Sequence, residues 1–237
     1  MPRAPGFLHF FESRVGRTVR DHHLVQDGDL LLVASICARD GLSLLDVLGH
    51  LRRPVGPTWR LAFVRALPQG WVDAPGWHEA VLRVAAAHGA EVHDVTLPPA
   101  PGPGCRACRA HALAHVGRLA RAIGAASVAV ADTLDTLAED VLQGLVVHGE
   151  LTSTAPRVDL DGVVLVRPLA QTEARNLRRY ARERDLPSNE APCPSGQGAE
   201  PALSPLLAGL ADKPARLKFN LVRAARQGAV VSDPRTL

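Results

Sequence analysis

The sequence predicts an α/β protein: a doubly wound, parallel five-stranded sheet with flanking helices. Three observations carry this expectation. Short continuous apolar runs, such as Leu30-Leu31-Leu32-Val33-Ala34, suit strands buried on both faces. These runs alternate with stretches of helical periodicity, the pattern of repeated βαβ units. The chain has 237 residues, 46% of them hydrophobic, which fits one core with appendages and excludes wholesale disorder.

The elements follow in order. Residues 10–25 read as an amphipathic helix, with Phe11, Val15, Val19 and His23 spaced four apart. Asp27-Gly28-Asp29 is a turn, and strands are predicted at Leu30 to Ala34, Trp59 to Val64, Glu91 to Val95, Ala126 to Ala131 and Gly162 to Val166. Between them lie helical patterns at 42–51, 76–88 (closed by Gly89), 105–123 (closed by Gly124) and 134–148. Thr172 is placed to cap a polar helix reaching about Asp185, with no capping box because Arg175 stands three residues on. A Pro/Gly/Ser-rich loop spans 187–205, and 203–210 and 215–226 look helical. The expected organisation is an N-terminal helical segment (1–26), an α/β domain (27–186), and a cysteine-bearing loop with C-terminal helices packed on that same domain (187–237).

Net charge is +3 from 27 basic and 24 acidic residues, too little by itself to argue nucleic-acid binding. Only Lys213 and Lys218 are lysines. Arginine favours bidentate phosphate contacts, but surface arginines are also ordinary. No apolar run approaches the roughly 20 residues that cross a bilayer, and Phe7-Leu8-His9-Phe10 is too short for a secretory core. A cytoplasmic protein with no membrane partner is expected. Its four cysteines, Cys37, Cys105, Cys108 and Cys193, then read as ligands or reduced thiols.

Four motifs carry chemistry. The first runs from Ser35 through Ile36, Cys37, Ala38, Arg39 and Asp40 to Gly41, at the end of the first strand. A strand, tight turn and helix start present unpaired N–H groups to an anion, although side chains at Ile36, Cys37 and Ala38 crowd such a cradle. A plain strand-to-helix turn is the competing reading. The second is Cys105-Arg106-Ala107-Cys108, whose spacing brings two sulfurs to one side of a metal or cluster. Cys193 would be a third ligand; alternatively His111 or His115, one and two turns along, completes a zinc site, or the pair is a redox dithiol. The third is Ala131-Asp132-Thr133-Leu134-Asp135-Thr136. Acids at a strand end hold Mg²⁺ or a ribose hydroxyl, and Thr133 or Asp135 equally caps the next helix. The fourth is Arg167, before Pro168-Leu169, a phosphate or carboxylate partner or a structural ion partner. The helix after Thr172 carries Arg175, Arg178, Arg179, Arg182 and Arg184, either an RNA-phosphate surface or a solvated face diluted by Glu173, Glu183 and Asp185.

The order and spacing of these pieces resembles the PP-loop ATP pyrophosphatase superfamily, and within it the tRNA 2-thiocytidine and 2-thiouridine synthetases. The likeness spans about residues 10–230 and rests on the Gly-Asp turn, the first strand and loop, Cys105 and Cys108 with Gly124 sixteen residues after the second cysteine, Asp135, Arg167-Pro168-Leu169, and Pro192-Cys193. It implies a Rossmann-like sheet and a 4Fe–4S cluster on Cys105, Cys108 and Cys193, with one iron left without a protein thiolate. It also implies ATP with Mg²⁺, tRNA as substrate, and a sulfur-donor protein, an active paralogue or a second subunit of a homo- or heterodimer as partner. The nucleotide motifs depart from the family. Ser-Gly-Gly has become Ile36-Cys37-Ala38, and the closing Ser is Gly41. Gly-His has become Ala131-Asp132, the second Asp is Thr136, and a pair of arginines is Ala112 and Leu113. Arg39, Asp40 and Asp135 are retained. The resemblance thus implies cluster ligands that match and an ATP site that has decayed, leaving two expectations: a divergent tRNA sulfurtransferase, or a non-catalytic subunit or sulfur or redox carrier.

Overall fold

The structure is a computed structural model. It describes residues 6–36, 40–52, 58–102, 104–160, 162–187, 203–209 and 214–231. Cys37, Ala38, Arg39 and Cys193 therefore lie outside the described residues.

The strands are β1 (Leu30–Ile36), β2 (Arg60–Pro68), β3 (Glu91–Leu97), β4 (Ser127–Val130), β5 (Arg157–Leu160) and β6 (Val163–Val166). The helices are α1 (Phe7–Asp21), α2 (Gly41–Leu51), α3 (Trp77–Ala87), α4 (Gly104–Ala122), α5 (Leu134–Gln143), α6 (Ala174–Glu183), α7 (Ser204–Gly209) and α8 (Pro214–Val231). A π-helical turn, Gly144–His148, continues α5. The sheet order is β3-β2-β1-β4-β6-β5, and the five predicted strands pair in parallel.

The side-chain period of two sorts the core onto two faces. Leu31, Val33, Leu61 and Phe63 face a cluster shared with α1, α2, α3 and α6. Leu32, Ala34, Ala62, Val64, Val128 and Leu165 face Ala112, Val116 and Ala120 of α4. A third cluster joins Leu134, Leu137 and Ala138 of α5 to Leu207 of α7 and Val222 of α8.

The structure corrects the sequence reading in two places. The sheet has six strands, not five: β5 pairs antiparallel with β6, Leu160 opposite Val163. Gly162, directly before β6, has φ 78°, the left-handed backbone that a tight hairpin turn requires. Thr172 does not cap α6. The helix starts at Ala174, and the Ala174 N–H donates 2.7 Å to Oδ2 of Asp135.

Candidate functional site

Neighbours of β1 diverge in sequence direction, β2 to one side and β4 to the other. In open α/β sheets that switch point, at the carboxyl ends of the strands, is where ligands bind. Ser35, at the end of β1, Ala131 and Asp132, after β4, and Arg167, after β6, all lie along this edge.

Ser35 is 1% exposed and its Oγ has no hydrogen-bond partner among the described residues. Opposite it, α2 begins at Asp40 and Gly41, with Asp40 in the left-handed region at φ 47°. A Cβ on Gly41 would lie 2.6 Å from the Cβ of Ser35 and 2.8 Å from its Cα. The close approach of the two backbones requires glycine there. Ile36 is half-buried beside them.

Asp132 is 5% exposed. Arg167 Nε donates 2.9 Å to its Oδ2, and the guanidinium of Arg109 on α4 donates to its Oδ1. Arg167 also donates 2.6 Å to the carbonyl of Ala155. Asp140 on α5 lies 3.6 Å from Arg109. Burial pushes the Asp140 carboxyl above its ordinary value, against the pull of Arg109. Two arginines and two aspartates thus close on each other at the strand ends.

Thr133 is the helix cap of α5, accepting from the Thr136 N–H and lying 3.1 Å from the Thr136 hydroxyl. Asp135 is committed elsewhere. One oxygen receives the Ala174 N–H, and the other receives Nζ of Lys218 from α8 at 2.7 Å. Arg167 is ion-paired with Asp132. Ala131 is half-buried at the same edge.

Cys105 is exposed and Cys108 half-buried on the first turns of α4. Residues three apart share a helix face. Arg106, between them, pairs with Glu150 at 2.6 Å, and Arg109 ties the same helix to Asp132. The thiol-bearing turn is thereby fixed to the mouth of the sheet. His111 and His115 stack edge to face at 4.6 Å but do not close on the thiols: among the described residues no His, Cys, Asp or Glu joins the pair to make a group of three at ligand spacing. The two described thiols fit a cluster by their donor chemistry.

The group that does gather is Asp46, His50 and His88. Its carboxylate is already used: Tyr180 donates its hydroxyl to Oδ2 at 2.7 Å, His88 Nε2 lies 3.0 Å from Oδ1, and Arg184 Nε lies 3.5 Å from Oδ2. His50 Nδ1 is bonded to the Asp46 carbonyl at 2.9 Å. A neighbouring guanidinium opposes a bound cation. The cluster ties α2 to α3 and α6.

Arg109, Asp140 and Lys218 escape sequence reasoning. The available signal was that Arg109 follows Cys108 directly and lies three residues before Ala112, which is buried against the sheet.

The chain is 29% identical over 195 residues to the tRNA-cytidine(32) 2-sulfurtransferase of Geobacter sulfurreducens, covering 77% of this chain and 74% of that one. It is 30% identical over 196 residues to that of Geobacter metallireducens, with coverage of 77% and 74%. The Deinococcus radiodurans relative of the same name is 27% identical over 209 residues, covering 83% and 67%. Among solved structures, the U34-tRNA thiolase NcsA from Methanococcus maripaludis, with its 4Fe–4S cluster, has a TM-score of 0.74 at 14% identity, covering 93% of this chain and 79% of that one. NMN synthetase from Francisella tularensis has a TM-score of 0.54 at 9% identity, covering 95% of each chain. No family model matches the chain. The fold is that of a Rossmann-like α/β protein. The chain belongs to the tRNA-thiolation branch of the PP-loop ATP pyrophosphatase superfamily, the family of the tRNA-cytidine(32) 2-sulfurtransferases.

Proposed function

We propose that this chain is a cluster-bearing member of the tRNA-thiolation family that engages tRNA but whose nucleotide site no longer holds ATP–Mg²⁺. One observation carries the reading. Two acids after β4, in the stretch aligned with one of the family's nucleotide motifs, are spent on the protein itself: Asp132 lies between Arg109 and Arg167, and Asp135 lies between the α6 N-terminus and Lys218. A carboxylate saturated by protein donors has little left for Mg²⁺, which needs oxygen ligands in near-ideal octahedral geometry.

Cys105, Cys108 and Cys193 are the cluster ligands in this reading. When bound, the cluster supplies an iron with an open coordination position, which is what handling a sulfur atom or a substrate demands. The chain's own groups do the remaining work. Arg106 and Arg109 hold the thiol-bearing turn in place through Glu150 and Asp132. Arg167 holds Asp132 from the neighbouring strand. Such a protein serves as a sulfur or redox carrier, or as a subunit in a homo- or heterodimer, beside an active paralogue or a sulfur-donor protein that supplies activation.

The test is a titration of the anaerobically purified, full-length chain with ATP–Mg²⁺ by calorimetry, beside its iron and acid-labile sulfide content. Bound iron and sulfide with no saturable nucleotide binding in the micromolar range support the proposal. Saturable micromolar ATP binding overturns the nucleotide half, and a colourless, zinc-loaded protein overturns the cluster half.

The second reading is an active ATP-dependent tRNA sulfurtransferase. The buried Ser35 hydroxyl favours it, since it has no partner among the described residues and sits where a nucleotide loop would present a donor. The same titration decides between the two.

A further inference from the structure

Between the first turns of α6 and α8 lies an open cleft of about 590 Å³, walled by Arg175, Arg178, Arg216 and Lys218 with Asp135 and Glu173. Both carboxylates are engaged. Asp135 holds the Ala174 N–H and Lys218, and Glu173 pairs with Arg175 at 3.0 Å. Arg178 and Arg216 make no ion pair among the described residues, so the cleft keeps a surplus of two positive charges.

The positive surface continues beyond the cleft. Arg175, Arg178 and Arg182 recur at i, i+3 and i+7 on the exposed side of α6, one stripe about 10 Å long at the helical rise per residue. Arg179 and Arg184 leave that stripe: Arg179 lies over Phe7 and pairs with Glu183, and Arg184 pairs with Glu12. On the far side Arg14 of α1 donates to the Gln171 carbonyl while remaining exposed.

The lining also says what does not bind. A pocket for a free nucleotide buries the base against apolar side chains, but Ala215 is the sole apolar residue in this lining. A cleft with guanidinium groups and no base platform suits a phosphodiester backbone, which guanidinium forks grip in pairs. Its position fits that ligand. Asp135, in its wall, lies three residues from Asp132, which binds Arg109 beside Cys108.

We infer that the α6–α8 cleft, through Arg178 and Arg216 in its wall, grips the phosphate backbone of the RNA substrate and holds it beside the thiol-bearing turn. This rests on the proposed tRNA reading and assigns it a surface.

The experiment measures fluorescence anisotropy of a labelled unmodified tRNA transcript against the full chain across a salt series. Wild type is compared with the Arg178→Ala/Arg216→Ala double variant, with Arg178→Glu, and with Arg60→Ala. Arg60 is exposed at the opposite edge of the sheet. All the substituted side chains are exposed, so melting curves should superimpose. Losing two phosphate contacts lowers the magnitude of the log K against log salt slope by about 1.4–1.8, and affinity at low salt should fall about tenfold or more, with Arg60→Ala unchanged. Wild-type tRNA binding that the double variant retains overturns the cleft assignment alone. No wild-type binding overturns the RNA reading and the assignment together, leaving the cluster reading to its own iron assay. If micromolar ATP displaces the RNA and the double variant loses ATP, the cleft is a nucleotide site and the inference fails.

Discussion

Gly41 stands against Ser35 so closely that a Cβ on the glycine would lie 2.6 Å from the serine Cβ and 2.8 Å from its backbone Cα. The backbone and side chain of Ser35 fill the space that a side chain at position 41 would need. Gly41→Ser should therefore destabilise the chain by about 1–3 kcal/mol, the usual cost of overpacking a filled interior. The Gly41→Ser/Ser35→Gly pair should recover part of that loss, because the contact is shared by the two sites. Urea midpoints of the four proteins in the cycle measure it; additive single effects would show that the contact is not the cause.

Asp132 holds Arg109 and Arg167 together across three elements, α4, β4 and β6. Removing its carboxylate leaves two guanidinium groups facing each other in a mostly buried place. Asp132→Ala should cost about 3–5 kcal/mol, the range for breaking a buried pair from one side. The Arg109→Met/Asp132→Leu/Arg167→Met triple variant, which removes these three charges and leaves Asp140, whose burial favours the neutral form, should cost less. Equal losses in the single and triple variants would show that packing, not charge, holds the strand ends.

How much of this was legible in the sequence depends on range. The five parallel strands were readable because four are local apolar runs, β3 mixes polar with apolar residues, and each has its own helix following. β5 escaped because it has four residues, with the exposed Arg157 and Asp159 alternating with Val158 and Leu160. The Asp161-Gly162 turn was the signal that would have revealed it. The cap of α6 was assigned to Thr172 because local sequence offers it. The group that does the work, Asp135, is 39 residues away. Arg109 and Asp132 are 23 apart, with no periodicity linking them. Thr133 as a cap and Arg167 as an ion partner were among the readings weighed, since both roles follow from position at a strand or helix end.

Asp46 gives the fold an acid-sensitive joint. Burial is the largest influence on its carboxyl and favours the neutral form, but bonds from His88 and Tyr180 with the charges of His50 and Arg184 outweigh it, and the folded value falls below the ordinary 3.8. A group held below its unfolded value contributes stability that is full above that value and lost as pH falls through the folded one. Tyr180→Phe should cost about 1.5–3 kcal/mol at pH 7, as for a hydrogen bond to a charged group. Its deficit should shrink below pH 3.8, where the Asp46 carboxylate takes up its proton. Urea unfolding at pH 7, 5 and 3 tests both parts; a deficit independent of pH would show that the loss does not depend on the charge of Asp46.

Thr133 tests whether the start of α5 positions the acids around it. Its side chain accepts the Thr136 N–H, and Asp132 and Asp135 flank it on a turn of few residues. Thr133→Ala should cost about 1 kcal/mol, a typical lost cap, while Thr133→Ser should restore most of it because the hydroxyl is kept. Since Lys218 reaches Asp135 from α8, fraying of this turn should also loosen the α5–α8 contact. Amide exchange should then quicken in α8 as well as α5 in Thr133→Ala, and in neither in Thr133→Ser. Faster exchange confined to α5 would show that α8 is held by Val222 and its apolar neighbours alone.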